Sequence, residues 1–204
     1  MDVWYVSYGS NICEDRFLCY IYGGTPEGSE KREVGCHDKT PPKRSEKAEI
    51  PYPLYFAKEK SKWGKGGVAF IGNETKREEL TIARKYLITA EQFCEVVEQE
   101  NNNQRLDIDV NKIISEGHLD INAGWYGRLM YLGDKNGNPM FTFTNTEPMT
   151  DQTFTIPPST YLSIIGRGLL ELGLTDEAVA EYFLLKRGIK GKFTKESLYN
   201  YIFR

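Results

Sequence analysis

The sequence predicts an α+β fold in which much of the sheet is antiparallel. Three observations carry this expectation. Strand-length apolar and aromatic runs mix with capped helical stretches, without the regular β-α-β order of a parallel sheet. An Asn136-Gly137 step joins two such runs, the pattern of a tight hairpin. Apolar residues make up 40% of the 204 positions, which supplies a core without disulfide or metal staples.

The elements follow in order. Val3 to Tyr8 is β-branched and aromatic and predicts a buried strand, broken by Gly9-Ser10-Asn11. Asn11 and Glu14 have capping-box spacing, so a helix is expected from near Ile12 to Tyr22, with Gly23-Gly24 as its stop. Residues 25–48 are polar and proline-bearing and predict a long surface loop. Strands are expected over 53–57, 67–71 and 81–88. Thr89 to Gln92 is a capping box, and its helix runs to about Glu100, where Asn101-Asn102-Asn103 stops it. A short helix is expected within 107–117, then strands at 124–132 and 140–145. Ser159 is expected to cap a helix from Thr160 to Leu172 with Gly173 as its stop, Thr175-Asp176-Glu177 opens another that ends before Gly188, and a last short helix is expected from Thr194 to Ile202.

Composition excludes several classes. Lys and Arg number 26 and Asp and Glu 29, a net charge of −3, which lacks the basic surplus of a nucleic-acid binder. No apolar run reaches the roughly 20 residues of a membrane helix. Met1-Asp2-Val3-Trp4 has no basic stretch leading into an apolar one, so no signal peptide is expected. Cys13, Cys19, Cys36 and Cys94 are irregularly spaced, which fits a reduced, cytoplasmic setting. His37 and His118 offer no metal-ligand spacing, and both read as surface histidines rather than catalytic ones. Gly64-Lys65-Gly66-Gly67 lacks the pattern of a phosphate loop and leads into a strand, so close backbone approach or a bulge is expected there.

Two places can carry chemistry. On the helix ending at Glu100, Phe93, Val96, Val97 and Glu100 share one face. A carboxylate on that face is desolvated and meets the negative end of the helix dipole, both of which suit general acid–base work. The alternative is a frayed end with Glu100 in solvent, and the helix alone favours that alternative. At Tyr8-Gly9-Ser10-Asn11 the first amides of the following helix can cradle an anion. An ordinary strand-to-helix turn with an Asn cap is favoured on that loop alone.

Taken together and in order, these residues resemble the gamma-glutamylcyclotransferase-like superfamily, which includes the AIG2-like proteins. The resemblance spans about residues 3–174. It rests on Tyr8-Gly9-Ser10-Asn11, on Trp63-Gly64-Lys65-Gly66-Gly67-Val68-Ala69, and on Glu98-Gln99-Glu100. Gly124-Trp125-Tyr126 and Pro158-Ser159-Thr160-Tyr161 with Gly166 complete it. The family's glutamate is usually followed by Gly, whereas Asn101 follows here; the loop at 25–48 and the tail also look longer than the common core.

The resemblance implies a small mixed β-barrel with flanking helices over residues 1–174, and a helical extension over 175–204 packed on it. It implies an enzyme in which the substrate's own α-amine attacks its γ-carbonyl, releasing an amine and 5-oxoproline. Glu100 would be the acid–base catalyst. The Gly9, Ser10 and Asn11 amides would hold the oxyanion or the substrate carboxylate, and Tyr8, Tyr126 and Tyr161 would line the pocket. An intramolecular attack gains effective molarity, so no protein nucleophile, metal or organic cofactor is required. The implied partner is a small gamma-glutamyl compound, with no nucleic acid or membrane. A non-catalytic ligand-binding module is the alternative, as is an interaction protein that docks through the loop and tail.

Overall fold

The computed structural model describes residues 1–27, 32–121 and 124–204. Ten strands and six α-helices are present among them: β1 (Asp2–Ser7), α1 (Glu14–Tyr22), β2 (Arg44–Ile50), β3 (Leu54–Ala57), β4 (Lys60–Ser61), β5 (Gly64–Lys65), β6 (Val68–Ile71), β7 (Thr81–Thr89), α2 (Ala90–Glu100), α3 (Val110–Glu116), β8 (His118–Asp120), β9 (Arg128–Lys135), β10 (Asn138–Thr144), α4 (Ser159–Glu171), α5 (Asp176–Leu184) and α6 (Lys195–Phe203). Six strands form the main sheet in the order β2-β7-β1-β10-β9-β8. Only the β1–β10 pairing is parallel. The α+β class and the antiparallel bias are therefore as the sequence predicts.

β1 is central and has a core on each face. Val3 and Tyr5 join a cluster with Phe17, Phe93 and Val97 beneath α1 and α2. Val6 and Tyr8 join a second cluster with β3, β6 and α4. Burial on both faces is why the strand reads as one unbroken apolar run. The β3–β6 pair is a separate antiparallel sheet. It meets β10 at Thr144, whose hydroxyl donates to the Ile71 carbonyl at 2.7 Å and accepts from the Ile71 amide at 3.1 Å.

Asn136-Gly137 forms the two-residue turn between β9 and β10, with φ of 53° and 77° and Lys135 facing Asn138. Both positive φ values suit the residues that tolerate them. The Thr89–Gln92 capping box is fully formed on α2.

Four expectations are corrected. Asn11 does not cap α1: Ser10–Ile12 is a 3₁₀ turn, and α1 starts at Glu14 with Cys13 as its N-cap. The Asn11 side chain is engaged elsewhere, as described below. The 25–48 segment is not all loop, because β2 begins at Arg44 (residues 28–31 lie outside the described set). β2 is an edge strand of charged residues, and its inward Glu46 pairs with the buried Lys85 at 2.9 Å. A polar edge of this kind hides the alternation that composition would show. The strand expected from Gly124 starts at Arg128, and the helix expected to be capped by Ser159 includes it, with Pro158 at the N-cap.

α4 fixes the 3₁₀ turn in place. A Cβ at Gly168 would lie 2.4 Å from the Cys13 amide nitrogen and 2.5 Å from the Ile12 carbonyl carbon. Backbone cannot give way there as a flexible side chain could. Glu171, on the same helix, accepts from the Glu14 amide at 3.0 Å and from Arg84 at 2.7 Å, which supplies α1 with its missing cap. Beyond α4, Val179, Phe183, Leu198 and Ile202 lie in the same apolar cluster as Ile165 and Leu169.

Two predictions follow from this packing. Gly168→Ala should destabilise the fold by about 1–3 kcal/mol, the usual cost of overpacking, read by urea unfolding; an unchanged midpoint would contradict the close crossing. Lys186 donates to the Leu80 carbonyl at 2.9 Å and is buried against the Tyr182 ring. Burial pushes its ammonium from 10.5 down to about 8. Between those values the unfolded chain holds a proton that the folded chain has released, so stability rises with pH across that window. Relative to Lys186→Met, wild type should gain stability as pH rises from about 8 to about 10.5. A constant difference between the two would contradict the assignment.

Candidate active site

One cavity of about 390 Å³ lies where β1, the 3₁₀ turn, the end of α2 and the β4–β5 hairpin converge. Its lining includes all seven sequence-predicted site residues: Tyr8, Gly9, Ser10, Asn11, Glu100, Tyr126 and Tyr161. They are up to 153 positions apart in the chain (Tyr8 to Tyr161), so tertiary structure alone brings them together. Glu98, the other carboxylate of the same triplet, accepts from the Leu106 amide at 2.9 Å and is outside the lining. His37 pairs with Glu95 on the surface, and His118 is exposed in β8; neither lines the cavity.

Glu100 is half-buried at the last position of α2. The Asn11 side-chain amide donates to its Oε1 at 3.0 Å, and Asn11 Nδ2 also lies 3.2 Å from the Tyr5 hydroxyl. The Asn11 carbonyl in turn accepts from Tyr86 at 2.8 Å. This residue is therefore held from three sides, and its Oδ1 has no partner among the described residues. The preceding position, Gln99, bonds the Gly35 amide and the Tyr20 carbonyl, each at 3.0 Å, which fixes the azimuth of the helix.

Asn101 does what a glycine could not. Its side chain donates to the Val97 carbonyl at 3.0 Å and lies 3.4 Å from the Tyr126 carbonyl. Asn102 and Asn103 then take φ of 62° and 58°, a region that Asn enters more readily than most residues.

The tyrosines form the inner wall. Tyr126 donates to the Ala69 carbonyl and Tyr161 accepts from the Ala69 amide, both at 3.2 Å. Tyr8 donates to the Phe143 carbonyl at 2.7 Å. Burial pushes all three hydroxyls above the ordinary tyrosine range, so they remain neutral at physiological pH. Gly9 is close beneath this wall: a Cβ there would be 3.2 Å from the Tyr161 hydroxyl. Gly66 and Gly67 show the close backbone approach that the sequence suggests, since a Cβ would be 2.4 Å from the Ile156 carbonyl oxygen and 2.8 Å from that of Thr155 respectively.

A charged cluster adjoins Glu100 that the motifs do not announce. Arg16 and Glu33 are both buried and pair at 2.9 Å. Lys62, at the tip of the β4–β5 hairpin, is 3.3 Å from Glu33 and 3.3 Å from the Tyr20 hydroxyl. Arg16 also donates to Tyr20 at 2.9 Å. Its guanidinium lies 4.7 Å from the Tyr20 ring centre and 5.7 Å from that of Trp63, and aromatic faces can compensate a cation for missing hydrogen bonds. Burial pushes the Lys62 ammonium below the ordinary lysine range, against the pull of Glu100 and Glu33. The sequence signal for Arg16 was its place on α1 beside Phe17 and one turn before Tyr20, on the buried face. Lys62 had no such signal, because a lysine before Trp63 in a short hairpin reads as solvated.

The architecture is that of the gamma-glutamyl cyclotransferase-like fold. It is similar to a solved gamma-glutamyl cyclotransferase with a TM-score of 0.50 at 15% identity, covering 99% of this chain and 98% of that one. An uncharacterized protein from Homo sapiens superposes with a TM-score of 0.51 at 16% identity, covering 100% and 99%. No protein-family model matches the sequence. In sequence the chain is 34% identical over 202 residues to histone deacetylase 5 of Arabidopsis thaliana, covering 91% of this chain and 31% of that protein. The chain thus spans about a third of that relative's length. Among the described residues no helix is long and apolar enough to cross a membrane.

Arg16→Met should cost about 3 kcal/mol, because it removes one cation from a carboxylate that stays buried. Urea unfolding measures this, and a loss below about 1 kcal/mol would show that the cluster is effectively solvated.

Proposed function

We propose that this chain is a gamma-glutamyl cyclotransferase-type enzyme acting on a small gamma-glutamyl compound, with Glu100 as its general acid–base. The observation that carries this reading is the Asn11–Glu100 hydrogen bond of 3.0 Å at the cavity wall. It joins the carboxylate to the turn whose Gly9, Ser10 and Asn11 amides donate to no acceptor among the described residues, so the acid–base group and the amides that would bind an anion line one space.

The chemistry needs little more. The gamma-glutamyl group enters with its α-ammonium toward Glu100 and its α-carboxylate or γ-carbonyl oxygen toward the Gly9–Asn11 amides. Such amides lead a helical turn and have no acceptor in a preceding one. Glu100 takes a proton from the ammonium. The freed amine nitrogen attacks the γ-carbonyl carbon, closing a five-membered ring through a tetrahedral intermediate whose oxyanion the amides stabilise. Glu100 then returns that proton to the departing nitrogen, the carbon–nitrogen bond breaks, and the second proton on the ring nitrogen passes by way of Glu100 to the departing amine or to water, so that 5-oxoproline and the amine leave. Ring closure supplies the proximity that a second substrate would otherwise have to gain by binding. Neutral tyrosines form the wall and donate no competing charge.

Glu100→Gln keeps size and the possibility of a bond to Asn11 but removes the proton transfer. Release of 5-oxoproline from a panel of gamma-glutamyl dipeptides, gamma-glutamyl amines and glutathione should fall about 10²–10⁴-fold in this variant. Release that survives the substitution would remove Glu100 from the reaction. Binding of these compounds with no release by wild type would mark a ligand-binding module on the same fold.

A further inference from the structure

Tyr20 belongs to α1 and is fully buried. Its hydroxyl receives Arg16 Nη2 at 2.9 Å and Lys62 Nζ at 3.3 Å. A guanidinium and an ammonium have hydrogens to give and no lone pair to accept with. The phenol oxygen is therefore the acceptor in both contacts, and its one hydrogen must go to a third group. Two carboxylates are near. Glu33 Oε1 is already shared by the same two cations, at 2.9 and 3.3 Å. The other is Glu100, which the Tyr20 hydroxyl meets as a hydrogen-bond partner.

Around Glu100 stand Tyr5 of β1, Arg16 and Tyr20 of α1, Lys62 of the β4–β5 hairpin, Tyr126, and Tyr161 of α4, with Asn11 on Oε1. Tyr126 and Tyr161 have their hydroxyls on Ala69, and that of Tyr5 lies beside Asn11. Among these tyrosines Tyr20 is the one whose oxygen is held by two cations. Donation from charged groups polarises the O–H and makes it a stronger donor in turn. Tyr20 is not part of the cavity lining, so it reaches Glu100 from behind and touches no ligand. Its main-chain carbonyl accepts from Gln99 Nε2 at 3.0 Å and from Cys36 Sγ at 3.2 Å, so the joint between α1 and α2 does not depend on the hydroxyl.

We propose that Tyr20 is a positioning residue for the reaction: its hydroxyl, gripped by Arg16 and Lys62, donates to the Glu100 carboxylate, stabilises its charged form and fixes its direction. This rests on the cyclotransferase reading of the cavity. Asn11 then holds Glu100 from the turn and Tyr20 holds it from α1, and the buried cations act on the acid–base group through one oxygen.

The test is the pH dependence of 5-oxoproline release in wild type and Tyr20→Phe, with the compound of the gamma-glutamyl panel that wild type turns over fastest. Phe keeps the ring and removes the O–H, while Arg16 and Lys62 keep Glu33. A carboxylate that loses a charge-assisted donor is protonated at higher pH, so the acid limb of kcat/KM should move up by about one pH unit. KM above that limb should stay within about twofold, because no ligand contact is lost. Thermal melting checks that the variant is folded, and Tyr20→Leu serves if Tyr20→Phe is not. An acid limb that stays in place, or a loss carried by KM alone, in a folded variant would overturn the proposal, even where stability falls, since a merely structural tyrosine would do the same. If wild type releases 5-oxoproline from no compound of the panel, the cyclotransferase reading fails by itself. Carbon-13 NMR titration of the Glu100 carboxyl, assigned by its loss in Glu100→Gln, then decides the role of Tyr20: a higher midpoint in Tyr20→Phe than in wild type supports it, and equal midpoints overturn it.

Discussion

The site depends on one short contact, the hydrogen bond from Asn11 to Glu100. It joins two elements that are distant in sequence and differently built, a 3₁₀ turn after β1 and the last turn of α2. Each is held independently. The turn lies beneath Gly168 of α4, where no side chain fits, and α2 is fastened by its capping box at one end and by Gln99 at the other. Two well-anchored elements with one bond between them hold the Glu100 carboxylate at the cavity wall, which the proposed proton transfer would require.

Much of the frame was legible in the sequence because local rules determined it. The α2 capping box, the Asn136-Gly137 hairpin and the buried run of β1 each follow from side chains within a few positions of one another. The Glu100 face of α2 was legible as well, by helical spacing. What was not legible depended on distant partners. Asn11 had the spacing of a cap, but Tyr5 and Glu100 take its amide. β2 looked like loop because its inward glutamate is neutralised by Lys85, a residue on another strand. The same holds at the site. The motif residues converge on one cavity, whereas Arg16, Glu33 and Lys62 acquire meaning only when three separate segments meet.

That buried cluster bears on energetics as well as recognition. Ion pairs removed from water seldom add net stability, yet breaking one is costly. A cavity that keeps Lys62 beside Glu33, with Arg16 behind it and Glu100 adjoining, holds these charges in place before any ligand arrives. Preorganised charge of this kind needs no reorganisation on binding. The sheet serves the same end, since a β1 with cores on both faces gives the turn after it little freedom to shift.

The most direct measurement is a crystal structure of the protein with 5-oxoproline bound. The account predicts that the ring fills the inner end of the cavity, with its nitrogen about 3 Å from a Glu100 carboxylate oxygen and its carboxylate or ring carbonyl on the Gly9–Asn11 amides. A ring bound outside this cavity, or one whose nitrogen faces the tyrosines with Glu100 turned away, would contradict it.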